Sequence, residues 1–259
     1  MKPSKSLLSI AGYDPSGGAG VVLDLRVFER LGFRGAAALT SVTAQDAARV
    51  RAVHHLPSAL VRSQYQALTG EFEFAGIKVG MAGTLDNLEA IARILRRNDA
   101  VPRVVDPVFV SSSGAALLEK RAMGSFLRVI RGAASLLTPN LGEASALAGR
   151  PVKTIEDMKD AARAIWESGR IPCLVKGGHL MGAAADVLWD GKTLHLFRHA
   201  RLDADVHGTG CFLSAAILGH LAGGYGLPEA CRRAIALTVR AIRRAVPAGG
   251  GRRVFPHSL

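Results

Sequence analysis

The sequence predicts an α/β protein with a mainly parallel central sheet and a small antiparallel edge, and three observations carry this. Short β-prone apolar runs alternate with helical patterns along the whole chain, as successive βαβ units do. Most of those runs end in polar or glycine-rich residues, where such sheets carry their ligand loops. Near residue 190, two β-like runs, Asp186–Trp189 and Thr193–Phe197, flank Asp190-Gly191, a dipeptide that favours a tight hairpin turn.

Taken in order, Leu7–Ala11 reads as the first strand. A helix follows over Gly20–Leu31, because Val21, Leu25 and Phe28, with Val27 and Leu31 beside them, make one apolar stripe. Further strands are predicted at Ala36–Val42, Ala75–Val79, Val104–Val108, Leu136–Leu137 and Cys173–Val175. Helices are predicted at Ala59–Leu68, Asp86–Arg97, Arg121–Ile130, Ile155–Glu167, Cys211–Leu221 and Pro228–Arg244. No long Pro/Ser/Gly linker, charge block or 20–50-residue repeat divides the 259 residues, so positions 1–259 are expected to form one domain.

Composition narrows the function. Hydrophobic residues at 49% and charged residues at 21% supply a full core and exclude a disordered chain. Three cysteines in no CxxC pair fit neither a disulfide framework nor a zinc module. The first residues lack an apolar signal stretch, and no run of about 18 apolar residues exists, so a cytoplasmic protein with no membrane partner is expected. The net charge of +12 raises the question of a polyanion partner. Seven arginines and no carboxylate lie between Ala230 and Leu259, but Phe255 is the one aromatic among them. That pattern reads as a solvated helix face and tail, and no nucleic acid is expected.

The densest motif is the run Ala11-Gly12-Tyr13-Asp14-Pro15-Ser16-Gly17-Gly18-Ala19-Gly20, with four glycines in ten residues between the first strand and the first helix. Glycines there permit close backbone approach to a ligand. It is not a dinucleotide fingerprint, since Leu23 takes the third glycine position. Asp24, one turn beyond Gly20, is a carboxylate that is costly to bury unless a ligand or partner meets it. Gly191-Lys192-Thr193 imitates the end of a P-loop, but Asp186 holds the required glycine position and the segment reads as a turn.

His207-Gly208-Thr209-Gly210-Cys211 precedes an apolar helical stretch. Small residues expose backbone N–H groups at a helix N-terminus, an anion site suited to a transferring phosphoryl group. The same field is expected to lower the Cys211 thiol pKa. Three more strand ends are polar: Asp106-Pro107, Thr138-Pro139-Asn140 with Glu143, and Lys176-Gly177-Gly178-His179. Asn140 and Glu143, three apart, suit a Mg²⁺ shell, and Lys176 a phosphate charge. Taken singly, each is more often a cap, turn or surface pair. Together they point to phosphoryl transfer.

These motifs, with Thr43-Ala44-Gln45 and Lys78-Val79-Gly80-Met81, resemble in order and spacing the hydroxymethylpyrimidine and phosphomethylpyrimidine kinases of thiamine biosynthesis. The resemblance implies a ribokinase-like three-layer αβα fold and a homodimer. It implies two transfers of the ATP γ-phosphoryl group, first to the hydroxymethyl of 4-amino-5-hydroxymethyl-2-methylpyrimidine and then to the monophosphate, with ATP and Mg²⁺ as cofactors. Sugar kinases of the superfamily carry aspartate where Cys211 stands.

By the same resemblance Gly12, Asp24, Gln45 and Cys211 contact the pyrimidine, and Met81 and Val108 bind it too. Asp106, Asn140, Glu143, Lys176 and His207 serve the nucleotide, Asp106 and Glu143 hold the metal, and Gly208, Thr209 and Gly210 form the anion hole. A Gln45 amide suits an aminopyrimidine edge, offering one donor and one acceptor. Tyr13, Ser112 and Phe212 depart from the family pattern. Phe212 is expected to remove a hydroxyl beside the anion hole, and Tyr13 to add bulk near the substrate loop. The alternatives are a pyridoxal kinase of the same cysteine-bearing type and a catalytically silent relative that binds polyanions.

Overall fold

A computed structural model describes residues 5–111, 113–178, 180, 184–202 and 205–256. His179 and Ser112 lie outside the described residues. Nine strands form one sheet: β1 (Ser6–Tyr13), β2 (Arg34–Gln45), β3 (Val50–His55), β4 (Phe74–Val79), β5 (Arg103–Val105), β6 (Leu136–Leu137), β7 (Cys173–Val175), β8 (Ala185–Trp189) and β9 (Leu194–Arg198). The spatial order is β3-β2-β1-β4-β5-β6-β7-β8-β9. From β2 to β7 all pairings are parallel, whereas β3, β8 and β9 pair antiparallel.

Helices cover both faces. On one side pack α2 (Ser58–Thr69), α3 (Leu85–Arg97), α4 (Lys120–Ile130), α5 (Leu141–Ala148) and α6 (Ile155–Gly169), which contribute Val61, Ile91, Phe126, Ala144 and Ile165 to a core with Leu8, Ile77 and Val105. On the other lie α1 (Gly20–Arg30), α7 (Thr209–Ala222) and α8 (Leu227–Arg243), whose Phe28, Phe212, Ile217 and Ile235 enclose Leu7, Val104 and Leu174. Alternate strand residues thus feed opposite cores. This is why the strands read as continuous apolar runs rather than alternating ones. The α7 stretch Phe212–Gly219 is buried all round, as a helix apolar on every face must be.

The expected edge hairpin is present. Asp190 Oδ1 accepts from the Lys192 and Thr193 amides at 2.8 and 2.7 Å, and Gly191 has a φ of 100°, so Gly191-Lys192-Thr193 is a turn. A second antiparallel edge, β3, was not foreseen. Its sequence Val-Arg-Ala-Val-His-His sits half exposed on β2 and carries no apolar period. β2 itself runs on past Val42 to Gln45. β5 stops at Val105, short of the expected Val108, because Pro107 has no N–H for a ladder. No helix among the described residues is long and apolar enough to cross a membrane.

Candidate active site

Parallel strands end on one side of the sheet, and there the residues after β5, β6 and β7 face the start of α7 across a cavity of about 780 Å³. The walls of its polar end are Asp106, Val108, Asn140, Glu143 and Lys176, together with the whole segment from His207 to Cys211. Ten expected site residues therefore line one cavity. The rest of its wall mixes apolar Leu202, Ile235 and Ile242 with polar His199, Thr238, Arg201, Asp205 and Arg252. These residues carry no motif, so the sequence alone did not mark them.

Gly208 caps α7 in the left-handed conformation at φ 84°, and no side chain caps that helix. The first-turn N–H groups lack intrahelical partners by construction and face the cavity. Opposite them Lys176 Nζ donates to Asp106 Oδ1 at 2.7 Å, and Thr138 Oγ1 donates to the same oxygen at 3.1 Å. A Cβ on Gly210 would sit 3.1 Å from Lys176 Nζ and 3.4 Å from Asp106 Oδ2, so the helix end approaches the pair closely because that residue is glycine. Burial works to discharge Lys176, but Asp106 and Glu143 outweigh it and hold the ammonium above its ordinary pKa.

Asn140 and Glu143 form a capping box on α5. The Asn140 amide donates to Glu143 Oε2 at 2.8 Å and the Glu143 amide to Asn140 Oδ1 at 2.9 Å. Both are caps and cavity wall at once. Burial, then the charge of Asp106, pushes Glu143 up to about 7 against the pull of Lys176. Two carboxylates whose charges oppose each other in one pocket suit a hard divalent cation, which binds through one or two carboxylates and completes its shell with phosphate and water. No group of three metal-ligating side chains exists among the described residues.

The expectation of a lowered Cys211 thiol pKa is overturned. Burial raises it, and Asp24 and Asp106 raise it further, while Lys78 and the Gly20 amide pull the other way. Desolvation, with the two carboxylates, exceeds the pull of Lys78 and the Gly20 amide, so the resting group is a neutral thiol. Asp24 also departs from its expected role. Its side chain is sealed from solvent, with both oxygens on Lys78 Nζ at 2.8 and 2.9 Å and Ser9 Oγ donating at 2.6 Å. The partner that offsets this carboxylate is Lys78, not a ligand. The sequence does carry a signal for this pairing: a cation inside the apolar run Phe-Ala-Gly-Ile-Lys-Val needs a buried partner.

Gly12, Gln45 and Met81 stand outside the cavity wall. A Cβ on Gly12 would meet Met81 Sδ at 2.9 Å, so those two are in contact behind the glycine-rich loop, and Gln45 closes β2 beside Asp14. Asp14 was also missed as a residue with its own role. Its Oδ2 lies 2.9 Å from His207 Nε2, which brings the first motif against the last. Phe212 is buried against Phe255, ring centroids 4.6 Å apart; it faces the core and not the anion hole. Tyr13 is partly exposed at the end of β1.

A family model described as phosphomethylpyrimidine kinase matches residues 14–255. The hydroxymethylpyrimidine/phosphomethylpyrimidine kinase of Streptomyces coelicolor is 40% identical over 246 residues, 95% of this chain and 91% of its own. Among solved structures, an ADP complex of Bacillus subtilis pyridoxal kinase superimposes with a TM-score of 0.90 at 32% identity over 98% of both chains. The phosphomethylpyrimidine kinase of Clostridium difficile does so at 0.81 and 32%, covering 92% of this chain and 99% of its own. The architecture is the ribokinase-like three-layer αβα fold. A match that runs from the glycine-rich loop to the C-terminal strand, over a cavity built from the same motifs, shows that this chain belongs to the phosphomethylpyrimidine kinase family.

Proposed function

We propose that the protein phosphorylates 4-amino-5-hydroxymethyl-2-methylpyrimidine with ATP and then phosphorylates the monophosphate, as a single kinase domain spanning 1–259. The observation that carries this is Cys211 in the first turn of α7, on the wall of the cavity that Lys176 and Asp106 face. In each transfer the bond from the γ-phosphorus to the bridging oxygen breaks and a new one forms to the acceptor oxygen, so positioning and charge neutralisation dominate. The uncapped amides of Thr209 and Gly210 receive the developing negative charge, with Lys176 as a fixed cation. Mg²⁺, held by Asp106 and Glu143, would supply further neutralisation of the phosphate oxygens.

Cys211 orients the acceptor hydroxyl in the first transfer, and as the new P–O bond forms the hydroxyl proton passes to an oxygen of the transferred phosphoryl group. The loose transition state of phosphoryl transfer asks for little prior deprotonation, which suits a thiol that rests neutral. In the second transfer the acceptor is an ionised phosphate and needs no such partner. On the acceptor side Val108 lines the cavity, and Gly12, Gln45 and Met81 stand behind it at the glycine-rich loop and the end of β2. A cytoplasmic homodimer acting on small molecules, with neither nucleic acid nor membrane as partner, completes this reading.

A pyridoxal kinase is the second reading, and the TM-score of 0.90 to the Bacillus subtilis enzyme favours it. ³¹P NMR of products from Mg-ATP with the pyrimidine alcohol, its monophosphate or pyridoxal in separate tubes decides between the two. A pyrophosphate resonance from the pyrimidine series is the expected result. Turnover of pyridoxal alone would overturn it, and silence in every tube would favour a non-catalytic binding protein.

A further inference from the structure

Two loops separated by 193 residues in sequence meet at one carboxylate. Asp14 is buried, yet each of its oxygens is used. Oδ1 accepts from the Ser16 amide at 2.9 Å and the Ser16 hydroxyl at 2.8 Å, and Oδ2 accepts from His207 Nε2 at 2.9 Å. Burial alone would raise the carboxyl, but His207, Gln45 and Ser16 together hold it below the ordinary range.

Around this bond the two backbones touch. A Cβ on Gly18 would lie 2.5 Å from His207 Cδ2, and one on Gly208 would lie 1.9 Å from the Gly18 carbonyl oxygen. Neither position has room for a side chain, so the loops seat on each other directly. Behind His207, its amide donates to the Arg253 carbonyl at 2.9 Å, which anchors the segment from the other side. The chain of contacts therefore runs from Thr43 of β2, whose hydroxyl donates to the Tyr13 carbonyl at 2.9 Å, through Asp14 and His207 to Gly208, the residue that caps the phosphate-facing helix.

We propose that the Asp14–His207 hydrogen bond couples the acceptor loop to the phosphate-binding end of α7, so that each ligand tightens the site of the other. The inference rests on the function proposed above for this cavity. A pyrimidine held against the end of β2 and the glycine-rich loop fixes Asp14, Asp14 fixes His207, and the N-terminus of α7 is then held where the phosphates bind. Linkage makes the effect reciprocal. His207 is in this scheme a positioning residue, acting through the backbone that follows it.

The test is calorimetric titration of the pyrimidine alcohol into the full chain, with and without saturating Mg²⁺ and the non-hydrolysable nucleotide AMP-PCP, in wild type, H207A, H207Q and G18A. Wild type is expected to bind the alcohol about 5- to 50-fold more tightly when the nucleotide is present. H207A removes the donor, and G18A wedges the ring away from Asp14, so the enhancement falls below about twofold in both. H207Q, whose amide nitrogen reaches about as far as Nε2 and also donates, restores it. An enhancement that survives H207A overturns the coupling, as does one lost equally in H207A and H207Q, which would assign His207 to direct nucleotide contact. If H207A does not fold, G18A against H207Q makes the same comparison. Measurable binary affinities without enhancement in wild type overturn the coupling alone. Absence of binary binding to either ligand overturns the functional reading with it.

Discussion

Lys78 Nζ lies 2.8 and 2.9 Å from the two carboxylate oxygens of Asp24, and neither side chain is exposed to solvent. The pair joins β4 to α1 directly behind the glycine-rich loop, with Ser9 of β1 as a third member. Asp24 keeps Lys78 protonated well above its ordinary pKa although burial acts to discharge it.

Removing one partner should therefore cost more than removing both. K78M leaves a sealed carboxylate without a counter-charge, and a loss of about 3–5 kcal/mol of stability is expected. The double variant D24L/K78M should recover most of that, because two apolar side chains carry no desolvation penalty. Urea denaturation of the three proteins checks it. A double variant as unstable as K78M would mean that the charges themselves hold the elements together.

The two transfers should respond differently to loss of the thiol. C211A removes the group that orients a neutral hydroxyl, so the first phosphorylation is expected to slow by about 10²-fold, as misplacement of a reacting group by about 1 Å does. The second, on an already anionic acceptor, should slow by less than about tenfold. Single-turnover rates on the alcohol and on the monophosphate measure this directly. Equal losses would show that Cys211 shapes the cavity and nothing more.

Glu143 gives a pH signature to the metal-free protein. Its pKa is raised from 4.5 to about 7, so the folded state holds this proton more tightly than the unfolded chain. The contribution to stability is complete below 4.5 and is lost as pH rises through about 7. It amounts to at most about 3 kcal/mol. E143Q keeps the amide-accepting oxygen of the capping box but cannot ionise. In EDTA, the wild-type melting temperature should fall relative to that of E143Q between pH 5 and pH 8, and parallel curves would sink the assignment. Mg²⁺ with AMP-PCP should narrow the difference, since a bound cation favours the ionised carboxylate.

Much of this protein was legible before its structure. Six parallel strands and seven helices follow from apolar periodicity, because burial on both faces of the sheet writes continuous hydrophobic runs into strands and stripes into helices. The phosphate end of the site was legible too. Small residues before an apolar helix and polar residues after short strands are forced into one place by the topology. Strand β3 escaped notice because an exposed edge needs no hydrophobic pattern.

Tertiary structure decided what spacing does not encode. Whether Asp24 meets a ligand or Lys78 depends on two side chains 54 residues apart sharing one buried point. Whether the Cys211 thiol rests ionised depends on how far desolvation outweighs a lysine and a backbone amide, a balance set by depth. The meeting of Asp14 with His207, and of Gly18 with Gly208, belongs to the same class. Local pattern determines which elements form and where their loops emerge, while the charge state and pairing of buried polar groups are settled only when distant segments displace the same water.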